Sequence, residues 1–276
     1  MRRLLAIALA VAVASPAPSY ADEPDTVALI GQALDKGRLV QAAEMIRIAR
    51  RDHNVPDLVR LDELEGRLAL IEGRPGDAFA AYDRVLRVEQ DNCRALEGAG
   101  LAALALDRMN AAHLRFEHVV QHCPERWRSW DGLGVVADRA GNWAEAEKAY
   151  HAAREIDPDN VTVINNLGYS LILQARFAEA EALLREGLLL APGDQRLLHN
   201  LDLACIGADK PLPEDVMPTD PEQQAERLNN AGYMAHLMGK DNVAERYLRQ
   251  ALAVSPSFYR RAADNLDLVL KGKQAK

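Results

Sequence analysis

Residues 59–194 repeat with a period of about 34 residues, and this constrains the chain more than any other feature. The stretch WDGLGVVADRAGNWAEAEKAYHAAREIDP (130–158) carries Trp130, Leu133, Gly134, Ala146, Tyr150, Ala153 and Pro158. One period later, INNLGYSLILQARFAEAEALLREGLLLAP (164–192) places Leu167, Gly168, Ala180, Leu184, Gly187 and Pro192 in the same register. One period earlier, LEGAGLAALALDRMNAAHLRFEHVVQHCP (96–124) has Gly100, Ala112, Phe116, Val119 and Pro124. A further step back gives Gly66, Ala78, Tyr82 and Val85, with Gln90 in place of the proline. Units 59–92, 93–126, 127–160 and 161–194 therefore follow one another without a gap. A unit this short cannot bury its own apolar face, so neighbours must stack into a solenoid. Ala and Leu dominate while aromatics make up 5%, which favours helices over strands.

The pattern Trp-x2-Leu-Gly…Ala…Tyr…Ala…Pro resembles the tetratricopeptide repeat (TPR). That resemblance implies an all-α fold, a right-handed TPR superhelix (α-solenoid) of about six helix pairs. Small residues at positions 8 and 20 let helices approach, larger ones fill the remaining space, and a proline near position 32 ends the second helix. Weaker copies flank the four units: 23–56 fits through Leu29, Gly37, Ala42 and Ile46, and 195–206 fits a first helix only. The segment 207–221, rich in proline and acidic residues, reads as a linker. The final portion, 222–276, holds a last unit (225–258) and a capping helix.

In TPR proteins the first helices line the concave face, with contacts made from positions such as 2, 5, 6 and 9. Read in this register, position 6 is Gly98, Gly132, Asn166, Asn200 and Asn230; position 5 is Glu97, Asp131, Asn165, His199 and Asn229. The C-terminal half thus carries a row of asparagines, able to satisfy both groups of a peptide backbone without reading its sequence. The competing reading is that these amides bond to the adjacent unit's backbone. Arg94, Arg128 and Arg196 at position 2 are suited to carboxylates, and Tyr169 and Tyr233 at position 9 to platforms or packing between units. The expected groove is therefore Asn165, Asn166, Tyr169, Arg196, Asn200, Asn229, Asn230 and Tyr233, with Arg94 and Arg128.

Cys93 and Cys123 hold the start and the end of one antiparallel helix pair, which makes them a disulfide candidate; Cys205 reads as a small buried hydrophobe. His118 and His122 share a helix face, but no glutamate follows the first, and a structural role is expected rather than a metal site. In the family, position 30, held by His122, packs inward and position 26, held by His118, points outward. No nucleophile elbow, phosphate loop or Cys-x-x-Cys is present. No catalytic residues, cofactor or small-molecule substrate are expected.

Arg2 and Arg3, the run LLAIALAVAVA and Ser19-x-Ala21 read as a signal peptide cleaved after Ala21, so a periplasmic location is expected, with no lipobox cysteine. The net charge of −8 argues against nucleic acid as a partner. The C-terminal stretches NNLGYSLILQARFAEAEALLREGLLLAPGDQRLLHNLDLACIGADK and ERLNNAGYMAHLMGKDNVAERYLRQALAVSPSFYRRAADNLDLV resemble the TadD family of TPR proteins of Tad (Flp-type) pilus assembly. That resemblance implies an adaptor for a secretin or pilus-assembly subunit, although members usually carry the lipid anchor for which this chain has no cysteine. The alternative is a generic periplasmic scaffold for another envelope complex. Solenoids of this kind also dimerise through terminal helices, which leaves a homodimer open.

Overall fold

The computed structural model describes residues 25–52 and 57–274; the segment 1–21, read from the sequence as a signal peptide, lies outside the described residues. Six antiparallel helix pairs follow in order: α1 Thr26–Asp35 with α2 Leu39–Ala49, α3 Leu58–Ile71 with α4 Pro75–Val88, α5 Cys93–Ala105 with α6 Met109–His122, and α7 Trp127–Arg139 with α8 Trp143–Ile156. Then come α9 Val161–Leu173 with α10 Phe177–Leu190, the unpaired α11 Gln195–Gly207, α12 Pro221–Leu237 with α13 Asp241–Val254, and the closing helix α14 Arg260–Gln274. Among the described residues there is no strand, and no helix is long and apolar enough to cross a membrane.

Local chemistry sets each boundary. Asn92, Asn160 and Asp194 hold position 34, and their side chains accept backbone N–H groups at the start of α5, α9 and α11, which satisfies donors that the helix itself leaves unpaired. Second helices stop at Cys123, Asp157, Ala191 and Ser255, each directly before a proline, because the preceding residue is pushed out of the helical region. Every first helix is followed by a left-handed residue at position 15: Gly37, Gly73, Asp107, Gly141, Ala175, Asp209 and Gly239. Where that residue has a side chain, as at Ala175 (φ 58°), the conformation costs on the order of 1 kcal/mol.

The position-8 glycines are explained by what sits on them. A Cβ on Gly66 would lie 2.8 Å from the Tyr82 ring, one on Gly100 2.6 Å from Phe116, and one on Gly168 2.6 Å from Leu184. The side chain at position 24 of each second helix fills the space that glycine leaves. The same rings reach the next unit. A Cβ on Gly98 would lie 2.2 Å from Tyr82, and one on Gly132 2.5 Å from Phe116. These contacts leave no room for a side chain at position 6 of the units 93–126 and 127–160, where the C-terminal units carry asparagine.

The half unit departs from the pattern. Its helix α11 makes the same left-handed turn at Asp209, but Pro211, Pro213 and Pro218 then prevent a second helix. The segment runs as an ordered strap with one 3-10 turn, Glu214–Val216. Leu212 is buried, its N–H donating to the Tyr247 hydroxyl at 3.2 Å, and Val216 packs against the core formed by α8 to α11. Lys210 and Asp215 bridge to Glu181 and Arg185 of α10 at 2.7 and 2.8 Å. The strap covers α10 and α11 in place of the missing helix.

Candidate functional site in the groove of the first helices

First helices α9, α11 and α12, together with Pro218 of the strap, enclose a cavity of about 890 Å3. Asn165, Asn166, Tyr169, Arg196, Asn200 and Asn230 line it. Each is placed there by its register position, since positions 2, 5, 6 and 9 share one face of a helix.

The asparagines bond to one another across units. Asn166 Nδ2 donates to both Asp131 carboxylate oxygens of α7 at 3.0 Å, Asn165 Nδ2 donates to Asn166 Oδ1 at 3.3 Å, and Asn200 Nδ2 donates to Asn165 Oδ1 at 2.9 Å. This amide chain joins α7, α9 and α11. Its acidic end is unusual: burial pushes the Asp131 carboxyl up to about 6, against the lowering effect of the Asn166 bonds. A second, separate chain joins α12 to α14, with Asn229 Nδ2 donating to Asn230 Oδ1 at 3.2 Å and Asn265 Nδ2 donating to Asn229 Oδ1 at 2.9 Å. Among the described residues the amides therefore bond to side chains, of their own unit and of neighbouring units, and not to the neighbouring backbone. The three rungs Asn166, Asn200 and Asn230 border one cavity but are not one hydrogen-bonded row.

Hydrogen-bonding capacity remains on the cavity side. Among the described residues, Asn200 donates once and its carbonyl oxygen accepts nothing, while Asn230 accepts once and both its amide hydrogens are unused. These are the two complementary functions a peptide backbone needs.

Several residues expected in the groove lie elsewhere. Asn229 is only 1% exposed and serves as the buried link between Asn230 and Asn265. Tyr233 is as exposed as Tyr169, 43% each, but only Tyr169 lines the cavity. Arg196 lines it while held by Asp194, with Nη2 2.8 Å from the carboxylate. Arg94 and Arg128 border a different cavity of about 360 Å3 along α3, α5 and α7.

The residue pair that closes the large cavity was not in the expected set. Arg227 of α12 makes a bidentate contact with Asp202 of α11, Nε to Oδ2 at 2.9 Å and Nη2 to Oδ1 at 2.6 Å, and also donates to the Val216 carbonyl of the strap. Burial pushes the Asp202 carboxyl up, opposed by the Arg227 guanidinium. The register held the signal. Asp202 occupies position 8, glycine in the neighbouring units, and Arg227 occupies position 3, where Leu61, Ala95, Ser129, Val163 and Leu197 are fully buried. With no second helix there is no position-24 side chain to fill the space over Asp202, and Arg227 takes it.

Cys93 and Cys123 are joined in a disulfide, with Cα atoms 6.5 Å apart, and Cys205 is a buried free thiol whose pKa burial raises to about 11. The histidine orientation is opposite to the expectation: His118 is half-buried with Nε2 3.0 Å from Asp91, while His122 is exposed and stacks on it at 4.3 Å. His122 Nδ1 bonds the His118 carbonyl at 2.8 Å, so the end of α6 absorbs the ring that would otherwise turn inward.

Tetratricopeptide repeat models match residues 32–92, 94–161 and 139–201, more than half of the chain. The chain belongs to the tetratricopeptide repeat family. Among solved TPR structures it is similar to a protein from Parabacteroides merdae (TM-score 0.60, 17% identity, 89% of this chain and 98% of that one). It is also similar to PilW, a type IV pilus biogenesis factor (0.59, 14%, 89% and 96%), and to PilF of Pseudomonas aeruginosa (0.53, 16%, 87% and 94%). At these identities the likeness is one of fold. A TPR repeat-containing protein of Pseudomonas aeruginosa is 23% identical over 168 residues, 60% of this chain. A BBSome complex member of Caenorhabditis elegans is 21% identical over 136 residues, 49% of this chain. The chain spans under a third of the length of these two relatives, 28% and 29%.

Proposed function

We propose that this TPR protein is a non-catalytic periplasmic adaptor that holds an extended segment of a protein partner in the cavity along α9, α11 and α12, in the assembly of a Tad (Flp-type) pilus. The observation that carries the reading is the cavity itself. Its wall presents an unused amide carbonyl at Asn200 and unused amide hydrogens at Asn230, with Tyr169 as an apolar platform. Such a wall suits reversible capture of backbone, because polar groups on a rigid scaffold lose little entropy on binding. The pilus assignment is supported by the TadD resemblance of the C-terminal half. PilW, described as a type IV pilus biogenesis factor, has the same fold.

A triple Asn166→Ala, Asn200→Ala and Asn230→Ala variant is expected to lower partner recovery from periplasmic extract by about tenfold or more, since the partner bonds lost at Asn200 and Asn230 cost roughly 1 kcal/mol each. Helical content is followed by circular dichroism to show that the solenoid persists. Undiminished recovery by a folded triple variant contradicts the groove reading. Mass spectrometry of the captured protein tests the assignment separately: a secretin or pilus-assembly subunit supports it, and a partner unrelated to pili overturns it.

A further inference from the structure

The smaller cavity along α3, α5 and α7 differs in charge from the larger one. Its wall carries Arg60, Arg67, Arg94, Arg126 and Arg128 against two carboxylates, Glu63 and Glu97. Both carboxylates are buried and already engaged. Glu97 receives Arg126 in a fork, Nε at 3.1 Å and Nη2 at 2.7 Å, and the Ser129 hydroxyl at 3.1 Å. Glu63 takes Arg60 and the Asn92 amide. Arg67 is held at its outer end by Asp35, 2.8 Å away and exposed to solvent. Arg94 and Arg128 are exposed, and among the described residues no carboxylate lies within ion-pair distance of either. The Arg128 guanidinium lies over the Trp127 ring, 4.4 Å from its centre, which fixes its position without neutralising it.

This excess of positive charge stands out in a chain of net charge −8. The larger cavity has no such excess, its Arg196 and Arg227 being matched by Asp202 and Glu226. We infer that the N-terminal part of the groove is an anchoring site for an acidic segment of the protein partner, with Arg94 and Arg128 as the two guanidiniums that receive its carboxylates. The inference rests on the groove reading above and gives it a direction: an acidic stretch seated over α5 and α7, and a sequence-independent stretch held by the asparagines further along. Guanidinium forks favour carboxylate geometry over a diffuse anion. The half-buried Arg126–Glu97 fork keeps this wall polar and fixed.

The test uses a fluorescein-labelled peptide of twelve residues alternating Glu and Asp with Gly and Ser, and the same peptide with Gln and Asn at the acidic positions. Fluorescence anisotropy is read at low and at 300 mM salt. The acidic peptide is expected to bind and the amidated one to bind at least tenfold more weakly. An Arg94→Glu, Arg128→Glu variant is expected to lose at least tenfold in affinity, and Arg94→Gln, Arg128→Gln to fall between. Arg87→Glu, an exposed change on α4 outside both cavities, is expected to leave binding unchanged. Equal affinity of the two peptides, equal loss with Arg87→Glu, or preference for a thymine oligonucleotide of equal charge each overturns the inference. If the acidic peptide fails while the asparagine variant still loses its partner, only this inference falls; if both fail, the groove reading falls with it.

Discussion

Arg227→Ala is expected to destabilise the protein by roughly 3–5 kcal/mol, one of the two largest effects foreseen for a limited change in this chain. The side chains of Arg227 and Asp202 are 10% and 4% exposed, so removing the guanidinium leaves a buried carboxylate without the hydrogen-bonded partner that offsets its desolvation. It also leaves the Val216 carbonyl of the strap without its donor. Asp202→Ala is expected to cost a comparable amount by stranding the arginine. The double change Asp202→Ala with Arg227→Met restores a neutral interior at both positions and is expected to recover most of the loss, since apolar replacement of a whole buried pair is often close to neutral. Urea unfolding followed by circular dichroism measures all four proteins. Equal stability of wild type and Arg227→Ala would show that the pair does not hold the half unit to the last repeat.

Opening the Cys93–Cys123 bond is the second large effect. The bond spans a sequence separation of 30 and links the first turn of α5 to the residue that ends α6. By the loop-entropy relation, closing a loop of this length stabilises the folded state by roughly 3–4 kcal/mol. Cys93→Ser with Cys123→Ser, or reduction of the native protein, is expected to lower the urea midpoint accordingly. In denatured protein, alkylation should label one thiol, Cys205, before reductant and three after it. Three alkylated cysteines in unreduced, denatured protein would contradict the bond.

Much of the architecture could be read from the spacing of glycine, alanine and proline, because each has one mechanical task in the repeat. Gly66, Gly100, Gly134 and Gly168 mark where a position-24 side chain must sit, and the prolines mark where second helices end. The candidate site was less legible. Position numbers placed Asn166, Asn200 and Asn230 on one face, but they do not say which amide takes up which. Asn229 is consumed by Asn265 of α14, a residue one unit away that no single-unit pattern contains. Arg94 and Arg128 share position 2 with Arg196 yet border another cavity, in units where Gly98 and Gly132 lie against the Tyr82 and Phe116 rings. The Asp202–Arg227 pair broke the repeat rule at two positions. Its meaning depends on the missing helix, which leaves space that only the folded chain reveals.

A first-helix groove that holds a protein segment should place that segment within reach of its wall. A photo-crosslinking amino acid placed at Tyr169, on the cavity wall, tests it most directly when compared with the same group at Leu189 of α10, 84% exposed and outside both groove cavities. After irradiation in periplasmic extract, one dominant crosslinked protein is expected from position 169 and none above background from position 189. Crosslinking that is equal at the two positions, or confined to 189, would contradict it.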